Sequence, residues 1–223
     1  MNKLEEGKTL LTNNEFEKAL LLFDDFLTEN NNHADALFFR GLCHRKLGRF
    51  DLSVIDFTAV IKKLPDEATI YSERGVSYYH QKEYRLALDD LNKAVALEPH
   101  KPYRYSSRAY IRAYLDIDGA IADYEKAIEL DPQDEIAHNN LGLLLENKGN
   151  MRAAKKNFKR SNEIIGYDPE GREMEGRSPK SDDGDPKTDN EPKSIGKVML
   201  DVFRNKETRK EFIEFLKSGL SKK

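Results

Sequence analysis

Between residues 34 and 166 the same residue types return about every 34 residues, which confines the chain to stacked copies of one small unit. Residues 34–67, 68–101, 102–134 and 135–166 align without forcing. A bulky residue is fourth in each (Leu37, Tyr71, Tyr105, His138), and a small one follows four positions on (Gly41, Gly75, Ala109, Gly142). The second half opens on an aromatic or apolar residue (Phe50, Tyr84, Ile117, Met151). A small residue comes three later (Ser53, Ala87, Ala120, Ala154), then a bulky one four after that (Phe57, Leu91, Tyr124, Phe158). Three segments begin just past a proline (Pro65, Pro99, Pro132).

Each segment reads as two antiparallel helices. In residues 68–101, Tyr71, Arg74, Gly75 and Tyr78 share one helical face, and Tyr84, Ala87, Leu88, Leu91, Ala94 and Val95 share another. The small residue in the first helix lets its partner approach, and the bulky residue of the second fills the space between units. Each proline ends a second helix, because it lacks a backbone donor and disfavours helical angles before it. One helix pair cannot bury its apolar faces alone, so the pairs must stack. The turn of residues 102–134 is one residue short, which places Gly119 inside the second helix and predicts a tighter or frayed turn. Residues 1–33 are a degenerate copy in which Gly7, Phe16, Ala19, Phe23 and Phe26 keep the register.

The period and the small–large pattern resemble the tetratricopeptide repeat (TPR) family. The resemblance covers residues 1–166, about three quarters of the chain, and implies an all-α right-handed solenoid of about five helix pairs (repeats 1–33, 34–67, 68–101, 102–134 and 135–166). Such repeats mostly bind other proteins. The expected function is therefore non-catalytic: a scaffold or adaptor holding a peptide or partner helix in a concave groove. In that family, positions two, five, nine, twelve and thirteen of each repeat tend to line the groove. Here they bring forward Phe38, Leu42, Arg45 and Lys46; Ser72, Val76, Tyr79 and His80; Tyr103, Ser106, Tyr110 and Tyr114; and Ile136, Asn139, Leu143, Glu146 and Asn147. Tyrosine offers a large contact area and a hydroxyl at low entropic cost, which suits peptide recognition. The alternative is that these aromatics only pad helix contacts. The subclass that grips chaperone carboxylate tails needs two basic residues on a third first helix. Thr69 with Glu73, Tyr103 with Ser107, or Ile136 with Asn140 stand there instead, which argues against that role.

Arg40, Arg74 and Arg108 each precede the small residue of a first helix, and Asp56, Asp90 and Asp123 precede the bulky residue of the second. The first and fifth repeats carry Glu6 with Leu22 and Leu141 with Asn157, so Arg occurs only where Asp occurs. An ion pair within a repeat, or between neighbours, is expected. His33, His44, His80, His100 and His138 lack zinc-ligand spacing, and Cys43 is the single cysteine, so no metal, cofactor or internal disulfide is expected. No phosphate-binding glycine loop and no nucleophilic triad is recognisable, which argues against an enzyme. His44, His138 and Cys43 read as packed residues.

Net charge is −3, which gives no global attraction to nucleic acid, and no run of apolar residues is long enough to span a bilayer. The start shows no signal peptide, so the chain is read as soluble and cytoplasmic. Residues 167–193, rich in Gly, Pro, Asp and Lys, read as a disordered acidic linker. Residues 194–223 read as a basic amphipathic helical tail, with Ile195, Val198, Met199, Val202 and Phe203 on one stripe. Such a tail could cap the solenoid, bind a partner, occupy the groove in cis or touch a membrane surface. A second reading of function follows from it: a regulatory or assembly subunit whose tail binds the partner while the repeats self-associate.

Overall fold

The computed structural model describes residues 2–167. Apart from Tyr167, the linker and tail inferred above lie outside the described residues. Ten helices follow one another: α1 (Lys3–Thr12), α2 (Phe16–Glu29), α3 (Ala34–Lys46), α4 (Phe50–Ile61), α5 (Ala68–His80), α6 (Tyr84–Leu97), α7 (Pro102–Arg112), α8 (Ile117–Leu130), α9 (Glu135–Asn147) and α10 (Met151–Ile165). Among the described residues there is no strand. Each odd-numbered helix pairs with the next, and each even-numbered helix packs against the first helix of the following pair. The result is an all-α solenoid of five stacked pairs.

The small–large pattern is the contact inside each pair. A Cβ added at Gly7 would lie 2.6 Å from the Phe23 ring, at Gly41 2.8 Å from Phe57, and at Gly142 2.5 Å from Phe158. At Gly75 it would lie 3.2 Å from the Ala87 carbonyl oxygen and 3.4 Å from Leu91. The Gly7–Phe23 contact shows that the degenerate first unit packs in the same register as the others. Interiors are close-packed, so a methyl group at Gly7, Gly41 or Gly142 must displace a ring, while at Gly75 the neighbours need give only a few tenths of an ångström.

A left-handed residue closes the turn inside four pairs: Asn14 (φ 62°), Gly48 (74°), Lys82 (65°) and Gly149 (79°). The fourth pair has none. Its missing residue is the left-handed one, and α7 stops two residues earlier than its counterparts α3 and α5. Its turn is capped rather than frayed. Asp116 accepts a hydrogen bond from Gly119 N at 3.0 Å, and Arg112 Nε donates to Asp116 at 3.0 Å. Gly119 sits in the first turn of α8, directly beneath this cap.

The fourth residue of a repeat ties the linker before it. Tyr71 donates to the Pro65 carbonyl and Tyr105 to the Pro99 carbonyl, each at 3.0 Å, and His138 Nε2 lies 3.4 Å from that of Pro132. The Arg–Asp pairs form within a repeat and are bidentate. Arg40 holds Asp56 (2.9 and 2.6 Å), Arg74 holds Asp90 (2.8 and 2.7 Å), and Arg108 holds Asp123 (2.9 and 2.5 Å). Each arginine also donates from Nη1 to the preceding pair: Arg40 to Asp24, Arg74 to Thr58 and Arg108 to Asn92. One guanidinium therefore fixes both the pair it belongs to and its junction with the pair before.

Candidate functional site

The residues expected to line a groove fall into three sets. Phe38, Leu42, Ser106 and Tyr110 are buried. Arg45, Ser72, Tyr79, Tyr103 and Asn139 are half-buried, as are Val76 and Ile136. Lys46, His80, Tyr114 and Glu146 are exposed, with Leu143 and Asn147 beside them in register.

The buried set corrects the sequence reading. Phe38 has no accessible surface and packs against Phe39 (5.5 Å between centroids) and Phe57 (5.8 Å). Leu42 belongs to the same apolar cluster. These two side chains are core because the first three pairs meet through large residues there. Ser106 lies under the next repeat, its hydroxyl 3.4 Å from Asp134, which caps α9. Arg45 Nε lies 2.7 Å from Glu73, an ion pair with both side chains almost fully covered.

The tertiary structure brings four tyrosines together at the middle of the stack. The hydroxyls of Tyr79, Tyr110 and Tyr114 lie 3.0–3.4 Å apart in a triangle. Burial pushes the Tyr79 hydroxyl up to about 12 and raises that of Tyr110 as well, so both stay protonated at neutral pH. Tyr84 lies flat against Tyr114, with centroids 5.0 Å apart and planes within 8°. The same register puts Phe50 flat against His80 at 4.5 Å and 6°. In both cases the first residue of a second helix supports the thirteenth residue of the next repeat. The sequence marks Phe50 and Tyr84 only as helix starts; the signal that pairs them with His80 and Tyr114 is the shared repeat register.

A second residue outside the expected set is Arg104. It is 4% exposed, holds Glu98 (2.7 Å), and donates to Ser72 (2.7 Å) and Thr69 (3.1 Å). Its guanidinium lies 4.7 Å from the centre of the Tyr103 ring. It thereby fixes Ser72 and Tyr103 at the junction between the third and fourth pairs.

The candidate reactive groups are packed. Cys43 has no accessible surface, and its thiol is pushed up to about 12 by burial, with Asp24 and Glu17 adding to the effect. His44 and His138 are each 8% exposed. Among the described residues no group of three His, Cys, Asp or Glu could hold a metal ion, and no helix is long and apolar enough to cross a membrane.

Burial lowers the pKa of His44 below the usual histidine value of 6.5; at the more exposed His80 partial desolvation and the Arg45 charge act in the same direction. At His44 the carboxylates of Asp56 and Asp24 oppose the shift, and Arg40 and Arg49 add to it. The folded state thus prefers neutral imidazole, and the unfolded chain takes up protons first as pH falls. The melting temperature should therefore decline from pH 7.5 to pH 6, above the range in which ordinary carboxylates titrate. A His44→Gln variant should show a flatter profile over that interval in a thermal scan, because His44 is the buried one of the two.

Family models described as tetratricopeptide repeats match residues 4–57, 68–101 and 136–166, and one described as a TPR repeat matches 116–149. The chain belongs to the tetratricopeptide repeat family. It is similar to human tetratricopeptide repeat protein 16, 32% identical over 147 residues, or 60% of this TPR chain and 17% of the relative. It is also 32% identical over 103 residues to RNA polymerase II-associated protein 3 of Xenopus tropicalis, covering 46% of the chain and 16% of the relative. This TPR chain thus spans less than a fifth of either relative. Among solved structures, MamA from Desulfovibrio magneticus RS-1 (residues 41 to the end) superposes with a TM-score of 0.68 at 23% identity, over 74% of this chain and 96% of that solved chain. YrrB, described as a TPR protein with an unusual peptide-binding site, gives a TM-score of 0.62 at 20% identity, over 73% and 84%. At these identities the likeness is one of fold.

Proposed function

We propose that this protein is a non-catalytic interaction scaffold that holds an extended peptide or a partner helix across its first-helix side, centred on Tyr79 and Tyr114, whose hydroxyls the buried Tyr110 holds in place. The tyrosine triangle carries this reading. Its rings are braced by Tyr84 below and by one another at the sides, so a ligand meets a surface whose side-chain entropy is already spent. Tyr114 stays 40% exposed, which leaves ring face and hydroxyl available for contact. Ser72, Tyr103 and Asn139 are half-buried polar groups nearer the start of the first helices, and His80, Lys46 and Glu146 are the accessible residues at their ends. The fold likeness to YrrB is consistent with a peptide ligand.

The test is selection of binders from a random peptide library on the full chain, followed by titration of the enriched peptides. Tyr114→Ala should weaken them by about tenfold or more, as truncation of a central aromatic contact does. Leu86→Ala, on the second-helix side, should leave affinity unchanged. Peptides that bind the Tyr114→Ala variant as well as the parent would refute this placement of the site.

A further inference from the structure

The junctions between pairs obey a register that also describes the two ends of the stack. At three of them an arginine, seventh in a first helix, donates to the ninth residue of the second helix before it. These are Arg40 to Asp24 (3.0 Å), Arg74 to Thr58 (3.0 Å) and Arg108 to Asn92 (3.1 Å). Carried to the ends, the same register puts Glu6 at the seventh position of the first unit and Lys159 at the ninth of α10. The two charges are opposite, and their order is reversed relative to the internal junctions. We infer that the chain associates with further copies of itself end on end. The α9–α10 face of one copy docks on the α1–α2 face of the next, as one internal pair docks on another, with Lys159 facing Glu6 of the next copy.

Both groups are available. Glu6 is exposed and has no basic partner among the described residues. The Lys159 side chain is 80% exposed, with Glu163 4.0 Å away as its contact. The charge of each end agrees. Residues 1–33 hold seven acidic and three basic residues, while α10 carries Arg152, Lys155, Lys156, Lys159 and Arg160 against Glu163 alone. A second internal contact repeats in the same way. Asp51 meets Gln81, and Asp118 meets Lys148, from the second position of a second helix to the fourteenth of the next repeat. At the ends these places hold Arg152 and Asn13, a donor and an acceptor. Leu143 adds an apolar contact. It is 40% exposed where its counterparts Leu42 and Tyr110 are 2% and 5%.

One internal pair has no favourable counterpart. The place of Arg45–Glu73 falls to Glu146 and Glu5, although Glu5 already holds Lys8 at 2.9 Å. The α10 end is also more polar than an internal seam, with Ser161 and Asn162 where α4 has Val60 and Ile61. Association through such a face is modest and salt-sensitive. Because the two surfaces differ, it adds copies in series instead of closing as a symmetric pair.

Sedimentation of the full 223-residue chain tests this. Its average mass should rise steadily with concentration at about 20 mM salt, pass through dimer without a plateau, and fall back at about 300 mM salt. Lys159→Glu and Glu6→Lys should each weaken association by about tenfold, and the two together should restore it. Glu146→Lys should strengthen it. A chain that stays monomeric at low salt, a plateau at dimer, or association that the single variants leave unchanged or the double variant fails to restore would overturn the inference.

Discussion

Arg74→Ala is expected to lower stability by about 3–5 kcal/mol, the range for removing one partner of a buried ion pair. Arg74 and Asp90 side chains are only 17% and 7% exposed. The substitution deletes two hydrogen bonds to Asp90 and one to Thr58, so it loosens the third pair and its junction with the second together. It also strands a carboxylate in a poorly solvated place. Burial already holds the Asp90 carboxyl above its ordinary value, in opposition to Arg74, so in the variant that group should take up a proton and absorb part of the loss. Arg74→Met with Asp90→Leu should recover most of the stability, because no charge is then left unpaired. Urea titrations of the single and double variants measure both. A loss below about 1 kcal/mol for Arg74→Ala would show that solvent screens this pair as it does surface pairs.

Phe38→Ala should have a comparable cost, about 3–5 kcal/mol, as large-to-small changes of buried aromatics do. The ring is wholly buried among Phe39 and Phe57 in a cluster shared by the first three pairs. This prediction separates the structure from the sequence reading, which placed Phe38 on the recognition surface. If Phe38 were a contact residue, its removal would weaken ligand binding and leave the melting temperature nearly unchanged. The structure requires the reverse: a lowered melting temperature, with peptide affinity per folded molecule close to that of the parent. Thermal scans and titrations on the same preparation decide between the two.

Much of the fold is legible in the chain because each structural need recurs. Gly7, Gly41, Gly75 and Gly142 stand opposite Phe23, Phe57, Leu91 and Phe158 wherever two helices must close, so repetition separates pattern from accident. The Arg–Asp pairs were legible for the same reason, since the two residues appear and vanish together. The candidate site was less so. Positions five and nine share one register in every repeat, yet Phe38 and Leu42 are core while Ser72 and Asn139 are half-exposed. Whether such a residue reaches solvent depends on the volume of side chains on the next pair, which the register does not encode. The bracing of Tyr114 by Tyr84 and of His80 by Phe50 joins residues about 30 positions apart, in different repeats.

The sequence by itself determined the helix pairs, their order, their stacking and that each of these arginines has an aspartate partner, because those depend on local periodicity and on side-chain type at fixed spacing, whereas the structure decided that the partner lies in the same repeat. Only the tertiary structure decided which first-helix side chains are sealed between pairs and which stay open. It also decided that each arginine reaches back across a junction, and that three tyrosine hydroxyls converge. Those outcomes turn on distances between neighbouring units, which are set when all the pairs pack at once.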